Sequence, residues 1–344
     1  MSMENLIAVV MGGPSAEHEI SLRSGREVLL HMDATKHARR AVVISRSKEF
    51  FWCDVDGDVA SLDEFTAPRA PRFHGPVTAA DARPVWEGCA LAFLVTHGEF
   101  GEDGVLQGYL ETIGVPYTGS GVYASAVAMN KITTKVLFER AGITTPPYSL
   151  YGKAHPMTTV ESIAAKHGFP CFCKCPQSGS SRLMGRADDL AGLRALLAEL
   201  VQFSDDVLVE TAISGVEFSC GVIENPDGSI RALPPVEIRP KTPYFDFTAK
   251  YTDNASVEIV PAPRPQTVLN RVMEIALAAH RVTGCRGYSR TDVIQSGDAL
   301  HTLEINTLPG MTSNSLLPKE FVSEGGTFTQ LIDLMIQTAL PRGL

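Results

Sequence analysis

The sequence predicts an α/β protein built in three parts, and three observations carry that expectation. Strand and helix signals alternate through the first third, the pattern of an open α/β unit. A shorter middle stretch repeats the alternation on a smaller scale. The remainder carries longer strand-like runs and a pair of strands joined by a tight turn. The units are expected at 1–120, 121–210 and 211–344. With 344 residues, 44% hydrophobic and 20% charged, the chain is long enough for two or three cores of this kind.

Leu6 to Met11 is an unbroken apolar run and reads as the first strand. Gly12-Gly13-Pro14-Ser15 turns the chain, and Ser21 to His31 has helical spacing. Gly12-Gly13 is not the G-x-G-x-x-G of a dinucleotide site, so it predicts a tight strand-to-helix turn and nothing more. Strands follow at Ala41 to Ile44 and Leu91 to Thr96. Between Ser45 and Trp86 the composition shifts to Asp, Pro, Arg and Ala with weak periodicity, which predicts a hairpin at Glu49 to Val55 and then a long surface excursion.

In the middle unit, Ala124 to Ala141 reads as one helix, with further helices at Val160 to His167 and Leu190 to Leu200. Strands are expected at Pro170 to Lys174 and Val207 to Glu210. Cys171, Cys173 and Cys175 alternate around Lys174, so the thiols share a face opposite Phe172 and Lys174, as small buried hydrophobes rather than a metal site. In the last unit, strands at Glu217 to Val222 and Val236 to Ile238 precede a loop carrying Tyr244, Phe245, Phe247 and Tyr251. Helices at Thr267 to Val282 and Phe328 to Ala339 bracket the remaining pair of strands.

That pair, Tyr288 to Ile294 and Leu300 to Asn306, flanks the turn Ser296-Gly297-Asp298 and reads as a hairpin. Arg290 and Asp292 share one strand face, and Glu304 and Asn306 share one face of the partner strand. A loop of odd length, such as Gly297 to Ala299, sets Asp292 opposite Glu304 and Arg290 opposite Asn306; a two-residue loop sets them on opposite faces. Two carboxylates and an amide, with no His or Cys beside them, suit Mg²⁺, which prefers oxygen and takes its remaining ligands from water and phosphates. Arg290 then faces the anionic group. The plain alternative is a surface hairpin with solvated charges.

Lys174 ends a strand and is followed by Gln177-Ser178-Gly179-Ser180-Ser181, a small polar loop whose backbone N–H groups can cradle phosphate. Lys131, at a helix start in Met129-Asn130-Lys131, is a second candidate cation.

In this order, the segments resemble the ATP-grasp family and, within it, the D-alanine:D-alanine ligases. Gly12-Gly13-Pro14-Ser15-Ala16-Glu17-His18-Glu19-Ile20-Ser21-Leu22 is similar to the ligases' first turn. His97-Gly98-Glu99-Phe100-Gly101-Glu102-Asp103-Gly104, with Gln107-Gly108 and Pro116-Tyr117-Thr118-Gly119, is similar to their second long signature. Ala249-Lys250-Tyr251 and the Asn306 to Leu316 string complete the match. It spans nearly the whole chain and leaves out Ser45 to Gly88.

The resemblance implies an ATP-grasp fold behind an N-terminal open α/β domain, with D-alanine and ATP as substrates, Mg²⁺ or Mn²⁺ as cofactor, and a homodimer. It implies Asp292, Glu304 and Asn306 as metal ligands, and Lys131, Lys174 and Lys250 as ATP phosphate ligands, with Ser181 in the phosphate loop. Glu210 to Ile213 match the strip that reads adenine, and Glu217 matches the ribose acid. Glu17, Ser180 and Tyr251 match a hydrogen-bonded trio that fixes the first amino acid and ties down a mobile loop. His97 lies beside that substrate, Arg290 and the Gly310 backbone match the group that stabilises the tetrahedral intermediate, and Ser315 with Leu316 matches the second amino acid's pocket. Two alternatives stay open: a related ligase acting on another amino acid, and a catalytically weak nucleotide-binding homologue.

The chain departs from the family pattern at Cys175-Pro176-Gln177-Ser178-Gly179-Ser180-Ser181-Arg182-Leu183-Met184. Leu183 replaces a glycine and removes backbone freedom, while Arg182 adds a cation where the γ-phosphate is expected. Thr211 stands where a basic residue is common, and Asn130 where Asp is usual.

Composition narrows the partners. The net charge is −9 and no basic run is present, which argues against a nucleic-acid or anionic-membrane surface. The apolar run at Leu6 to Met11 lacks a basic flank and is too short to span a bilayer, so no secretion signal is expected. Seven scattered cysteines form no disulfide framework, so the expected setting is the reducing cytoplasm.

Overall fold

A computed structural model of the protein describes residues 6–177, 183–240 and 256–340. Its elements, in chain order, begin with β1 (Leu6–Gly12), α1 (His18–His31), β2 (Ala38–Ile44), β3 (Phe50–Asp54), α2 (Leu62–Thr66), β4 (His74–Val77), α3 (Arg83–Trp86), β5 (Cys89–Leu94) and α4 (Val105–Ile113). Next come α5 (Val122–Met129), α6 (Lys131–Arg140), β6 (Tyr148–Gly152), α7 (Val160–His167), β7 (Cys171–Lys174), β8 (Met184–Ala187), α8 (Leu190–Leu200) and β9 (Asp206–Thr211). The chain continues through β10 (Val216–Glu224), β11 (Ile230–Ala232), β12 (Val236–Pro240), β13 (Ser256–Ile259), α9 (Gln266–Val282), β14 (Tyr288–Ser296), β15 (Ala299–Asn306), α10 (Leu316–Ser323) and α11 (Phe328–Ala339).

These strands form three sheets. The first has the order β4-β3-β2-β1-β5, with β1 parallel to both β2 and β5. Every residue of β1 is buried because helices and the closing segment cover both faces, as its continuous apolar run requires. Gly12 ends that strand at φ +88°, and a Cβ there would lie 2.3 Å from the Ile44 carbonyl oxygen, so the turn excludes any other residue.

The stretch after Ser45 is more ordered than its composition predicts. It contains α2, β4 and α3, and Phe65, Phe73, Val85 and Trp86 enter the first core. Widely spaced aromatic anchors give no periodicity, which is why the sequence reads as a surface excursion. The last helix also joins this core: Phe328, Leu331, Ile332, Met335 and Ile336 of α11 are buried in it, and the helix packs against β5 and α1. An ion pair between Lys36 and Asp333 ties the loop after α1 to the same helix. The unit expected over 211–344 therefore sends its final helix onto the first sheet. Each such buried apolar side chain contributes about 2 kcal/mol.

A four-stranded antiparallel sheet, β6-β9-β7-β8, forms the middle unit. Cys171, Cys173 and Cys175 are buried in its core with Ile163, Leu193 and Leu197, and burial pushes all three thiols above their ordinary pKa. The helix expected over Ala124 to Ala141 is broken at Asn130. Its side-chain oxygen accepts hydrogen bonds from Ile132 and Thr133 N–H, both at 3.1 Å, so one residue ends α5 and caps α6. Lys131 is thereby the first residue of α6.

The third sheet runs β13-β12-β10-β14-β15, with β11 on β10. Alternation decides which face does what. Phe218, Cys220, Val222 and Val293 point to α9 and pack with Leu269, Val272 and Ala276. The opposite face carries Glu217, Ser219 and Gly221 of β10 beside Ile294, Asp292 and Arg290 of β14.

On the α9 side, His280 Nδ1 shares a 2.8 Å hydrogen bond with Ser289 Oγ, and burial pushes its pKa down to about 4. The unfolded chain therefore binds the proton more readily than the folded one between the ordinary value near 6.5 and about 4. Stability is expected to fall by on the order of 3 kcal/mol as pH drops through that window. Urea unfolding of wild type and His280→Gln at pH 7 and pH 4.5 checks this, because the variant should lack most of that slope.

Candidate active site

The hairpin β14–β15 reaches the expected alignment by an unexpected route. Ser296 pairs with Ala299, so the turn is the two-residue Gly297-Asp298. Up to Val293↔Thr302 the register is the one that turn dictates, and it would place Glu304 on the α9 face. A bulge then intervenes: Asp292 pairs with Glu304, Thr291 with Ile305 and Arg290 with Asn306, leaving Leu303 as the extra residue. The two-residue turn does not put the acids on opposite faces, because the bulge cancels its parity.

Two rows of side chains consequently cross one face of the sheet. Ser219, Asp292 and Glu304 form one, and Gly221, Arg290 and Asn306 the next. Asp292 is 4% exposed. Its Oδ1 accepts a hydrogen bond from Ser219 Oγ at 2.6 Å, and Arg290 holds both carboxylate oxygens, with Nε at 3.1 Å and Nη2 at 3.0 Å. Glu304 is paired with Lys131 at 3.3 Å, and Asn306 Oδ1 accepts from Leu308 N–H at 3.1 Å. Glu217 stands two residues before Ser219 on the same face.

This donor set is all oxygen, spans two adjacent strands and faces a pair of cations, so it fits a hard divalent ion with phosphate ligands. Among the described residues no three His, Cys, Asp or Glu side chains cluster as a metal site. The two acids and the amide remain the candidate donors, and Cys171, Cys173 and Cys175 are buried in the core of the middle sheet.

The first sheet supplies the opposite wall. After β5 the chain presents His97, whose Nδ1 lies 3.1 Å from the Leu308 carbonyl oxygen. A carbonyl only accepts, so Nδ1 carries the proton and Nε2 the lone pair. Nε2 is buried without a hydrogen bond among the described residues, and burial holds the ring's pKa below its ordinary value against the pull of Glu17. Glu17, 6% exposed, lies against Gly98: a Cβ on that glycine would sit 3.1 Å from Glu17 Oε2. Glu102 joins the same loop to the third sheet, accepting from Gly98 N–H at 3.1 Å and Leu308 N–H at 3.4 Å. Burial, reinforced by the charge of Glu17, pushes the Glu102 pKa up to about 8. Leu308 is thus held at both its N–H and its carbonyl from the first sheet.

Beyond Leu308 the chain bends through Gly310 to Ser315. Ser315 Oγ accepts from Thr312 N–H at 3.1 Å, and a Cβ on Gly310 would lie 2.8 Å from that oxygen. Leu316 opens α10 and is nearly buried with Val236 and Ile238.

Facing the third sheet from the middle unit, Glu210 of β9 lies 2% exposed between Lys174 of β7, at 2.5 Å, and Lys135 of α6. Burial favours its neutral form, but the two ammonium groups outweigh this and hold its pKa down at about 2. Ile213 is partly buried just after β9. Ser180, Ser181, Lys250 and Tyr251, together with Arg182 and the aromatic loop Tyr244, Phe245 and Phe247, lie outside the described residues. Leu183 has φ +49°, a left-handed backbone that a glycine adopts without strain, and its carbonyl accepts from Cys175 N–H at 2.9 Å.

Sequence reasoning missed Ser219, Lys135 and the bridging role of Glu102. Ser219 follows Glu217 by the strand period and Lys135 follows Lys131 by one helical turn, so both were accessible to periodicity. A separate cleft of about 320 Å³, lined by Tyr117, Glu224, Arg286 and Thr338 among others, includes none of the site residues above.

Family models described as "D-ala D-ala ligase N-terminus" and "D-ala D-ala ligase C-terminus" match residues 6–120 and 137–337. The chain belongs to the D-alanine–D-alanine ligase family. A D-alanine–D-alanine ligase of Leptospira biflexa is 39% identical, over 96% of this chain and 98% of the relative. That of Desulforudis audaxviator is 38% identical, over 99% of this chain and 100% of the relative. Among solved structures, the VanG D-Ala:D-Ser ligase from Enterococcus faecalis superposes with a TM-score of 0.85 at 28% identity, covering 98% of this chain and 99% of that one. A D-alanine–D-alanine ligase from Bacillus anthracis, complexed with ATP, gives 0.75 at 27% identity, covering 98% and 97%. The ATP-grasp fold of these ligases is therefore the fold of this family member. Among the described residues no helix is long and apolar enough to cross a membrane.

Proposed function

We propose that this protein joins two D-alanines into D-alanyl-D-alanine at the expense of ATP, as a homodimer in the cytoplasm making a peptidoglycan precursor. The observation that carries this reading is the single sheet face on which Asp292, Arg290, Glu304 and Asn306 align in two rows, with Leu308 binding that face to the Glu17–His97 loop.

A carboxylate is a poor electrophile, so the first D-alanine attacks the γ-phosphate of ATP to give an acyl phosphate and ADP. The amine of the second D-alanine then attacks the acyl carbon, and inorganic phosphate leaves. Glu17 anchors the first ammonium by charge pairing, with neutral His97 beside it as a lone-pair acceptor. Lys131, Lys174 and Lys250, with the Ser180–Ser181 loop, hold the nucleotide phosphates. Glu210 to Ile213 read adenine and Glu217 the ribose. Arg290 and the Gly310 backbone stabilise the oxyanion. Ser315 and Leu316 border the second amino acid, and Tyr251 closes with Ser180 over the site, where exclusion of water protects the acyl phosphate. Asp292, Glu304 and Asn306 would hold Mg²⁺ or Mn²⁺. When bound, such an ion neutralises the phosphate oxygens that approach one another. In this reading the chain has three parts, 1–120, 121–210 and 211–344, and the nucleotide binds between the second and third.

The test is phosphate release from ATP with and without D-alanine, with the dipeptide identified by mass spectrometry. Release that requires D-alanine and yields D-alanyl-D-alanine supports the reading. ATP binding without release would reduce the protein to a nucleotide binder. The likeness to a D-Ala:D-Ser ligase makes D-serine the competing second substrate, and preferential formation of the mixed dipeptide would replace D-alanine in that role.

A further inference from the structure

Two amines share one buried carboxylate in the middle unit, which is one cation more than Glu210 neutralises. The two differ in freedom. Lys135, on the buried side of α6, has a side chain 2% exposed and lies 5.4 Å from the centre of the Tyr148 ring. The Lys174 side chain is 15% exposed, and it lies within the electrostatic reach of Glu217 and Glu304 on the facing sheet. Lys174 therefore faces the nucleotide cleft, whereas the Lys135 side chain is enclosed beside Glu210.

We propose that Lys135 is the resident counter-ion of Glu210, and that by holding this charge it lets Lys174 leave Glu210 for the phosphates of ATP. The inference rests on the nucleotide reading above and assigns Lys135 as a positioning residue. A carboxylate 2% exposed that lost its sole partner would be left as an uncompensated buried charge. With Lys135 in place, the departure of Lys174 leaves an intact pair, and Glu210 stays ionised and able to accept from the exocyclic amine of adenine. Helix α6 couples the two sides of the cleft, because Lys131, one turn before Lys135, reaches Glu304 of the third sheet.

The full-length protein tests this by calorimetric binding of adenosine and of ATP with Mg²⁺ in the absence of D-alanine. In Lys135→Met and Lys135→Gln, Lys174 becomes the remaining counter-ion of Glu210 among the described residues and is retained there. ATP affinity should drop by about 10- to 100-fold while adenosine affinity changes by less than about twofold. In a Glu210→Gln background the same substitutions should alter the preference for ATP over adenosine by less than about twofold. Equal losses for both ligands would assign Lys135 to packing alone, and unchanged binding of both would remove any role; either overturns the proposal. Should neither substitution at 135 fold, Glu210→Gln still decides. With no carboxylate to detain Lys174 the ATP preference should persist, and its loss would overturn the proposal. Wild-type phosphate release with D-alanine runs in parallel: its absence defeats the ligase reading, whereas an active wild type with an unaltered Lys135→Met preference defeats this inference alone.

Discussion

Asp292→Ala is expected to lower D-alanine-dependent phosphate release by about 10³-fold or more. The carboxylate is the centre of the polar face: it receives Ser219, chelates Arg290 and stands opposite Glu304. Its removal takes away one oxygen donor for the divalent ion and also leaves the Arg290 guanidinium without the carboxylate that orients it. Two losses at one atom group explain why the effect exceeds that of an ordinary ion pair. Asp292→Asn separates shape from charge, since an amide oxygen still accepts from Ser219. The asparagine variant should remain within about tenfold of the alanine variant. Near-wild-type turnover of Asp292→Asn across a Mg²⁺ titration would show that the charge is not needed, and the metal assignment would fall.

The second large effect is expected from Gly310→Ala, at about 10²-fold in kcat. The added methyl would lie 2.8 Å from Ser315 Oγ, so the loop between Leu308 and Ser315 must shift, carrying the Gly310 N–H away from its aim. A displacement of this size affects an oriented donor far more than it affects a core, so unfolding temperature should change little. Steric origin makes the effect non-additive. Gly310→Ala with Ser315→Gly removes the clashing hydroxyl, and the double variant should be less impaired than the product of the two single effects. Full additivity in steady-state kinetics would point away from this contact.

Much of this architecture was legible because local rules decide it. Helices α7, α8 and α11 match their expected bounds, since each shows apolar spacing that a helix turns into one buried stripe. The alternation of Cys171 and Cys173 with Phe172 and Lys174 was likewise readable from the strand period. Where a local signal was present but weak, reading failed: Asn130 divides α5 from α6 with a side-chain cap that resembles any polar residue within a helical run.

What the amino-acid order determined alone was the chemistry at hand: two acids and an amide in strands, lysines at strand and helix ends, and glycines where the chain must turn. Only tertiary structure decided their coincidence. Leu303 is bulged because the two-residue turn and the burial of Val293 and Ile305 on the α9 side demand different registers, and that conflict exists only once α9 is packed. Glu210 meets Lys135 and Lys174 because α6 and β7 approach it from segments 75 and 36 residues away, respectively, by their sequence numbers. Contacts over such separations follow from the packing of whole faces, which residue order encodes jointly and no single segment reveals.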